Sequence, residues 1–471
     1  MKDRIDKIHE ASMIILENIG IRLHHPEVLS LLRDRGVRIK GEAAYFGRHQ
    51  INACLEKAPS CFTVHARNPE HNMEIGTGQT QYAAGYGCPA VIEADGTRRN
   101  ALMDDYRRFV KLVDQSPEFR LNGGILVQPG DIPAEWTHLV MTHAAMALSD
   151  KCIMGIPGSA RQVGQLMDMA AILYGGTEKL KQKPRIITLV NTLSPLQIDR
   201  NSLDTILVHA RYNQPVVICA GVMTGTTSPV TLAGSIAQGN AETLAGIAIA
   251  QMINPSTPVV MAINTTPVDM RTGGVNVGSP AQSLAVKYTA GLARKYGVPC
   301  RCGGSSSDAA GVTAQSGWES MMSMFVSRRE KVDLVIHSAG ILAGYAAMSF
   351  EKFITDREVI RLVESYCDDL DTDDNAMALN AVAEVGWQNQ YLTHPHTMKN
   401  CRDAAWVSGI TPAGNASSPV GSPNQALMAA IDKKLTGMID GFTPGAPDPS
   451  VLQQLNDYLL ELNVPLSLLA H

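Results

Sequence analysis

The sequence predicts an α/β protein built on an eight-stranded parallel barrel of the (β/α)8, TIM type. Three observations carry that expectation. From about residue 120, short runs rich in β-branched residues recur, each bounded by turn residues. Segments of helical length and pattern fill the intervals, which implies parallel strands joined by crossover helices. The runs number eight, which suits a closed barrel better than an open sheet.

Before the barrel, residues 1–100 read as an α+β extension packing on it. IDKIHEASMIILENIG and PEVLSLLRDRG have helical periodicity, and the second closes on Gly36, a residue suited to a helix C-cap. Short strand-like pieces follow at 62–65, 81–83 and 90–92, with the glycine and proline loop GYGCP between the last two. The barrel is expected over residues 101–395, with strands near 121–127, 152–156, 185–191, 215–221, 258–264, 299–304, 333–337 and 347–353. QVGQLMDMAAILYGG and SIAQGNAETLAGIAIAQMI are crossover helices in this reading. Only a short glycine-rich loop separates the seventh and eighth runs, so that unit lacks its helix. Beyond about residue 356 the chain is helical (REVIRLVESYC, NAMALNAVAEVG, NQALMAAIDKKLTGMI, SVLQQLNDYLLELN), with 396–471 as a carboxyl-terminal helical extension. That extension suggests a homo-oligomer.

Composition narrows the function classes. Apolar residues make up 45% of the 471 and charged residues 18%, as in ordinary globular chains. A net charge of −5 gives no sign of a nucleic-acid or anionic-membrane partner, since either favours basic clusters. The charged amino terminus lacks the apolar core of a signal peptide, and no run reaches membrane-spanning length. The nine cysteines are scattered without zinc-site spacing, and Cys300 and Cys302 in PCRCGG read as reduced thiols packed in or near a strand. A cytoplasmic protein is expected.

In a barrel of this kind the chemistry sits where the strands end. Those positions are Gln128, Asn191 with Thr192, Gly221, Asn264 with Thr265, Ser305, His337, and Phe350 with Glu351. The set is mostly neutral and polar. It contains no HExxH, Walker loop or nucleophile elbow, no metal cluster, and no residue marked out for covalent or acid–base work. Asn191 and Asn264, in NTLSP and NTTP, suit either turn capping or ligand contact. His337 ends an apolar strand before a glycine-containing loop, as a satisfied core histidine or as a site residue. Tyr345 and Phe350 suit a core or a cage, and Tyr82 and Tyr86 flank AAG, where rings can cover a ligand or pack on the barrel.

Four stretches taken together resemble one family. LEKAPSCFTVHARNPE (55–70), QYAAGYGCPAVIEADGTRR (81–99), LNGGILVQPGDIP (121–133) and VIHSAGILAGYAAMSFEKFITDREV (335–359) look like the trimethylamine methyltransferase family, in particular its members without pyrrolysine. The resemblance spans nearly the whole chain. It implies a TIM-type barrel that passes a methyl group from an amine to the cobalt of a corrinoid (cobalamin) carried by a separate partner protein, with no tightly bound cofactor of its own. The founding members carry pyrrolysine in the barrel, whereas this chain shows only standard residues. That departure shifts the implied substrate from trimethylamine to a quaternary amine: glycine betaine first, with proline betaine, carnitine or γ-butyrobetaine as alternatives. On this reading Tyr82, Tyr86, Tyr345 and Phe350 face the cation. His337 and Asn191 hold a betaine carboxylate, and Gln128 and Asn264 make further contacts. A non-catalytic betaine-binding barrel and an unrelated barrel lyase or hydrolase are the readings from other classes. The last would need a carboxylate, lysine or metal at the site, and Glu351 is the only carboxylate among the strand ends.

Overall fold

A computed structural model describes residues 1–387, 389–402, 404, 406–411 and 423–470. Eight parallel strands close a barrel: Gln81–Ala83, Phe119–Gly123, Cys152–Met154, Ile186–Asn191, Val216–Met223, Val259–Thr266, Cys300–Arg301 and Leu334–Val335. Each pairs with the next, and the last closes on the first through Leu334 beside Gln81 and Val335 beside Tyr82. The first seven runs expected from the sequence each overlap one of these strands.

The eighth expected strand, 347–353, is a correction. Only Ala347–Met348 is extended, and it pairs with Ile341–Leu342 and Ala90–Ile92 outside the barrel. Gln81–Ala83 takes its place, drawn from the region expected to pack on the barrel from outside. The hairpin Ala90–Ile92/Arg98–Asn100 is inserted between this strand and its crossover helix Met103–Asp114, which disguises the first strand–helix unit. Ile341–Leu342, Ala347–Met348 and the inserted hairpin form one four-stranded sheet. Both halves of that sheet leave the carboxyl ends of barrel strands, so it lies at that rim.

Side-chain alternation divides the barrel strands into two faces. Leu121, Met154, Leu189, Cys219, Ala262 and Ile336 fill the interior in one apolar cluster. Val64 and Met73 of the antiparallel pair Phe62–Val64/Met73–Ile75 join the same cluster. The outward faces pack under the helices. Leu232–Ile253 is buried along most of its length between strands Val216–Met223 and Val259–Thr266 on one side and helices Lys2–Ile14 and Arg48–Lys57 on the other. Close approach is possible because Gly246 has no side chain: a Cβ there would lie 2.6 Å from Ile218 Cγ2.

The carboxyl-terminal helix Phe350–Cys367 runs along the outside against Ala314–Arg329 and Pro423–Asp440. The helix expected over 375–386 is split at Ala378, whose φ is +49°, into Asp374–Met377 and Leu379–Val385. Among the described residues no helix is long and apolar enough to cross a membrane.

Candidate functional site

Above the apolar interior, the inward positions two residues further along three of the strands are polar or lack a side chain. Asn191, Gly221 and Asn264 follow Leu189, Cys219 and Ala262, and Gly221 stands beside Asn264 in the parallel register. Asn191 and Gly221 are solvent-exposed although they face the axis, so this mouth is open.

One wall of the mouth carries a buried cation. Cys300 and Cys302 pack outward in the main core, which turns Arg301 between them to the interior. Arg301 is 2% exposed. Its Nη2 lies 3.0 Å from His337 Nδ1 and its Nη1 lies 3.9 Å from Cys219 Sγ. Nε has no hydrogen-bond partner, and no carboxylate forms an ion pair with Arg301 among the described residues. A buried charge without a counter-charge costs several kcal/mol, on the order of 3–5 when a partner is missing.

His337 fixes that guanidinium. Its Nε2 stands 3.1 Å from the Tyr86 carbonyl, which only accepts, so Nε2 carries the proton and donates. Nδ1 is then the acceptor for Arg301, which only donates. Burial, and then the charge of Arg301, hold the imidazole well below its ordinary pKa, against the pull of the Tyr86 carbonyl. The histidine is neutral and both ring nitrogens are occupied. Its backbone is left-handed at φ +68°, a conformation costing about 1–2 kcal/mol outside glycine. The turn beyond it repeats this at Ala343 (φ +51°) and Tyr345 (φ +70°).

Two rings face the histidine. Tyr345 lies 4.9 Å from it, centroid to centroid, and Tyr86 lies 6.5 Å away. Burial raises the Tyr345 phenol, opposed by hydrogen bonding with Ser306 and Asn264 and by the charge of Arg301. The Tyr86 hydroxyl is buried without a hydrogen-bond partner. Asn264 Oδ1 accepts from Gln282 Nε2 at 2.9 Å. The mouth thus presents free donor capacity on a cation, two aromatic faces and neutral polar groups, and it suits a small zwitterion with a methylated ammonium.

Of the eight residues singled out in the sequence, His337, Tyr345, Tyr86 and Asn264 come together, and Asn191 faces the same mouth. Gln128 is exposed, with its backbone N–H on the Cys88 carbonyl. Tyr82 and Phe350 lie elsewhere. Ala83 faces inward, so Tyr82 faces outward, where its hydroxyl donates to the Glu364 carboxylate that also pairs with Arg328. Phe350 opens a helix, stacks on Phe109 at 4.2 Å and lies under the Arg108 guanidinium. Sequence reasoning missed Arg301. The signal was present in PCRCGG, where a charged residue alternates with two apolar-side cysteines.

Residues 1–462 match the family model for trimethylamine methyltransferase. The chain is 41% identical over 399 residues to the glycine betaine methyltransferase of Desulfitobacterium hafniense (strain Y51), covering 85% of this chain and 83% of that one. It is 30% identical over 472 residues to the proline betaine:corrinoid methyltransferase of Eubacterium limosum, covering 97% and 96%. The solved monomethylamine methyltransferase of Methanosarcina barkeri shares the fold at 12% identity, with a TM-score of 0.54 over 93% of this chain and 88% of that one.

Proposed function

Because the chain belongs to the trimethylamine methyltransferase family, we propose that it moves a methyl group from a quaternary amine, foremost glycine betaine, to the Co(I) of a corrinoid carried by a separate protein, releasing dimethylglycine. The observation that carries the choice of substrate class is Arg301, a buried guanidinium with no carboxylate paired to it among the described residues, beside the rings of Tyr86 and Tyr345. A betaine brings the missing carboxylate and a methylated cation together. Arg301 takes the carboxylate through its unoccupied N–H groups, His337 and the Tyr86 carbonyl hold Arg301 in place, and the two rings take the ammonium at about 0.5–2 kcal/mol per contact.

The chemistry then needs little else from the chain. The breaking C–N bond leaves its electron pair on nitrogen, and the electron pair of Co(I) forms the new Co–C bond. The quaternary nitrogen departs as a neutral tertiary amine, so no proton is transferred, and the neutral, fully engaged His337 is consistent with that. Holding one methyl in line with the acceptor is worth up to ~7–11 kcal/mol. The positive charge on nitrogen disappears in the transition state, so a weak cage serves better than a strong one. The exposed Asn191 and Gly221 leave the axis open to the acceptor. In this reading the corrinoid belongs to the partner protein and the chain binds no cofactor of its own. The exposed Leu379, Leu392 and Met398 suit contact with a second copy. Cysteines free of disulfides and a Co(I) acceptor fit a reducing cytoplasm.

Methylation of free cob(I)alamin, followed optically across glycine betaine, proline betaine, carnitine, γ-butyrobetaine and trimethylamine, tests the reading. Turnover is expected with glycine betaine. Turnover with trimethylamine and with no quaternary amine overturns it. Relative rates among the betaines report how far from the ammonium Arg301 meets the carboxylate.

A further inference from the structure

The stretch FEKFITDREV contributes no side chain to the mouth, yet it opens with two ionisable groups one helical turn apart and sealed from solvent. Lys352 and Asp356 are each 1% exposed. Lys352 Nζ donates to the Asp356 carboxylate, to Ser320 Oγ at 2.7 Å and to the Ser305 carbonyl at 3.3 Å. The other Asp356 oxygen accepts from the Gly340 N–H at 2.8 Å.

A buried ion pair is weak evidence of stabilisation, because apolar residues of the same volume commonly do as well. What this pair supplies is geometry. It ties helix Phe350–Cys367 to helix Ala314–Arg329 and to two strand-end loops, one after Arg301 and one around His337. Those loops are themselves joined next to the anchor. The Ser305 N–H donates to the His337 carbonyl at 2.8 Å. Gly304, at φ +131°, lies so close that a Cβ would stand 2.6 Å from the Ile336 carbonyl oxygen and 2.8 Å from that of His337. The Ser305 carbonyl is in turn held by Lys352 and by Ser320 Oγ at 3.0 Å. A continuous chain of contacts therefore runs from Lys352 through Ser305 to the His337 backbone, and from the His337 ring to Arg301.

We propose that Lys352 and Asp356 are positioning residues that set the left-handed backbone of His337 and, through its ring, the orientation of the Arg301 guanidinium toward a substrate carboxylate. The inference deepens the betaine reading and rests on it. Its consequence is selective. Loss of the pair impairs recognition of the carboxylate and leaves recognition of the methylated ammonium intact.

The test compares wild type with Lys352→Met/Asp356→Leu, which keeps the core filled, and with the polar variant Lys352→Gln/Asp356→Asn. Dissociation constants are measured for glycine betaine and for choline, which has the same trimethylammonium group and no carboxylate. The ring 15N signals of His337 are recorded without ligand, and the thermal midpoint alongside. In the apolar variant, glycine betaine affinity is expected to fall on the order of tenfold or more while choline affinity changes less than about twofold. The His337 signals are expected to lose the Nε2–H tautomer pattern of wild type. The polar variant should fall between the two. Equal losses for both ligands, or an unchanged betaine-to-choline ratio with unchanged His337 signals, overturn the proposal. If the apolar variant does not fold, the same ratio and signals in the polar variant decide. A wild type without preference for betaine over choline refutes the functional reading instead, and the ligand-free His337 signals still judge the positioning role.

Discussion

The guanidinium of Arg301 donates through Nη2 to Nδ1 of His337 across 3.0 Å, and the opposite ring nitrogen is spent on the Tyr86 carbonyl. The histidine just past the last barrel strand, Leu334–Val335, therefore braces a cation. It has no ring nitrogen left for a ligand in this arrangement, which is why the proposed function gives the carboxylate to Arg301 and not to His337.

Replacing Arg301 should then be the most damaging single change for substrate recognition. Truncating one partner of a buried, hydrogen-bonded charge pair costs about 2–5 kcal/mol. Arg301→Met is expected to lower kcat/KM for glycine betaine by roughly 30-fold to several thousandfold. Arg301→Lys should recover only part of this, because an ammonium cannot both donate to His337 and offer a planar fork to a carboxylate. Steady-state kinetics with each variant decide the matter, and an unimpaired Arg301→Met enzyme would remove the anchor from the site.

A histidine buried in its neutral form predicts a pH dependence of stability with a definite sign. The folded-state pKa of His337 lies well below the ordinary 6.5, so between those two values the unfolded chain binds more protons than the folded one. Stability is therefore lost as pH falls from about 6.5 toward the folded value. His337→Gln removes this contribution. Thermal midpoints at about pH 7 and pH 5 should differ less in the variant than in wild type. A larger difference in the variant contradicts the neutral assignment.

The barrel was legible because seven of its strands are bounded apolar runs with helices between them, a pattern dictated by burial on both faces. Gln81–Ala83 read as strand-like but not as part of the barrel, because a hairpin is inserted before its helix and hides the strand–helix unit. At the candidate site, the strand-end rule pointed to His337 and Asn264, and their places beside glycine-containing loops pointed to Tyr86 and Tyr345. Arg301 was passed over because its two cysteine neighbours drew the reading toward thiols, although period-2 alternation sends the residue between them to the opposite face. The same alternation, applied to Tyr82 and Ala83, would have excluded Tyr82. Ser349, whose side chain accepts from the Lys352 N–H, marks a helix start and so removes Phe350 from any strand.

The ring of Tyr345 is expected to act on the cation without dominating affinity. Tyr345→Leu removes the aromatic face but keeps an apolar side chain, and cation–π contacts are worth about 0.5–2 kcal/mol. KM for glycine betaine should rise roughly two- to thirtyfold. Tyr345→Phe keeps the face and should change KM less than Tyr345→Leu does. Equal effects of the two substitutions would show that the ring face is not what meets the substrate.

Phe350 and Tyr82 provide the opposite expectation, stability without specificity. Phe350 stacks on Phe109 at an interplanar angle of 13° beneath Arg108, outside the barrel. Phe350→Leu should lower unfolding free energy by about 1–3 kcal/mol. Tyr82→Phe leaves the Glu364 carboxylate its Arg328 partner at 3.0 Å but removes the phenolic donor, at a cost of about 1–3 kcal/mol. Neither side chain faces Arg301, so KM for glycine betaine, measured on the folded fraction, should stay within about twofold of wild type for both variants. Denaturant titration and kinetics on the same preparations separate the two effects. A KM change comparable to that of Tyr345→Leu would return Phe350 or Tyr82 to the substrate cage.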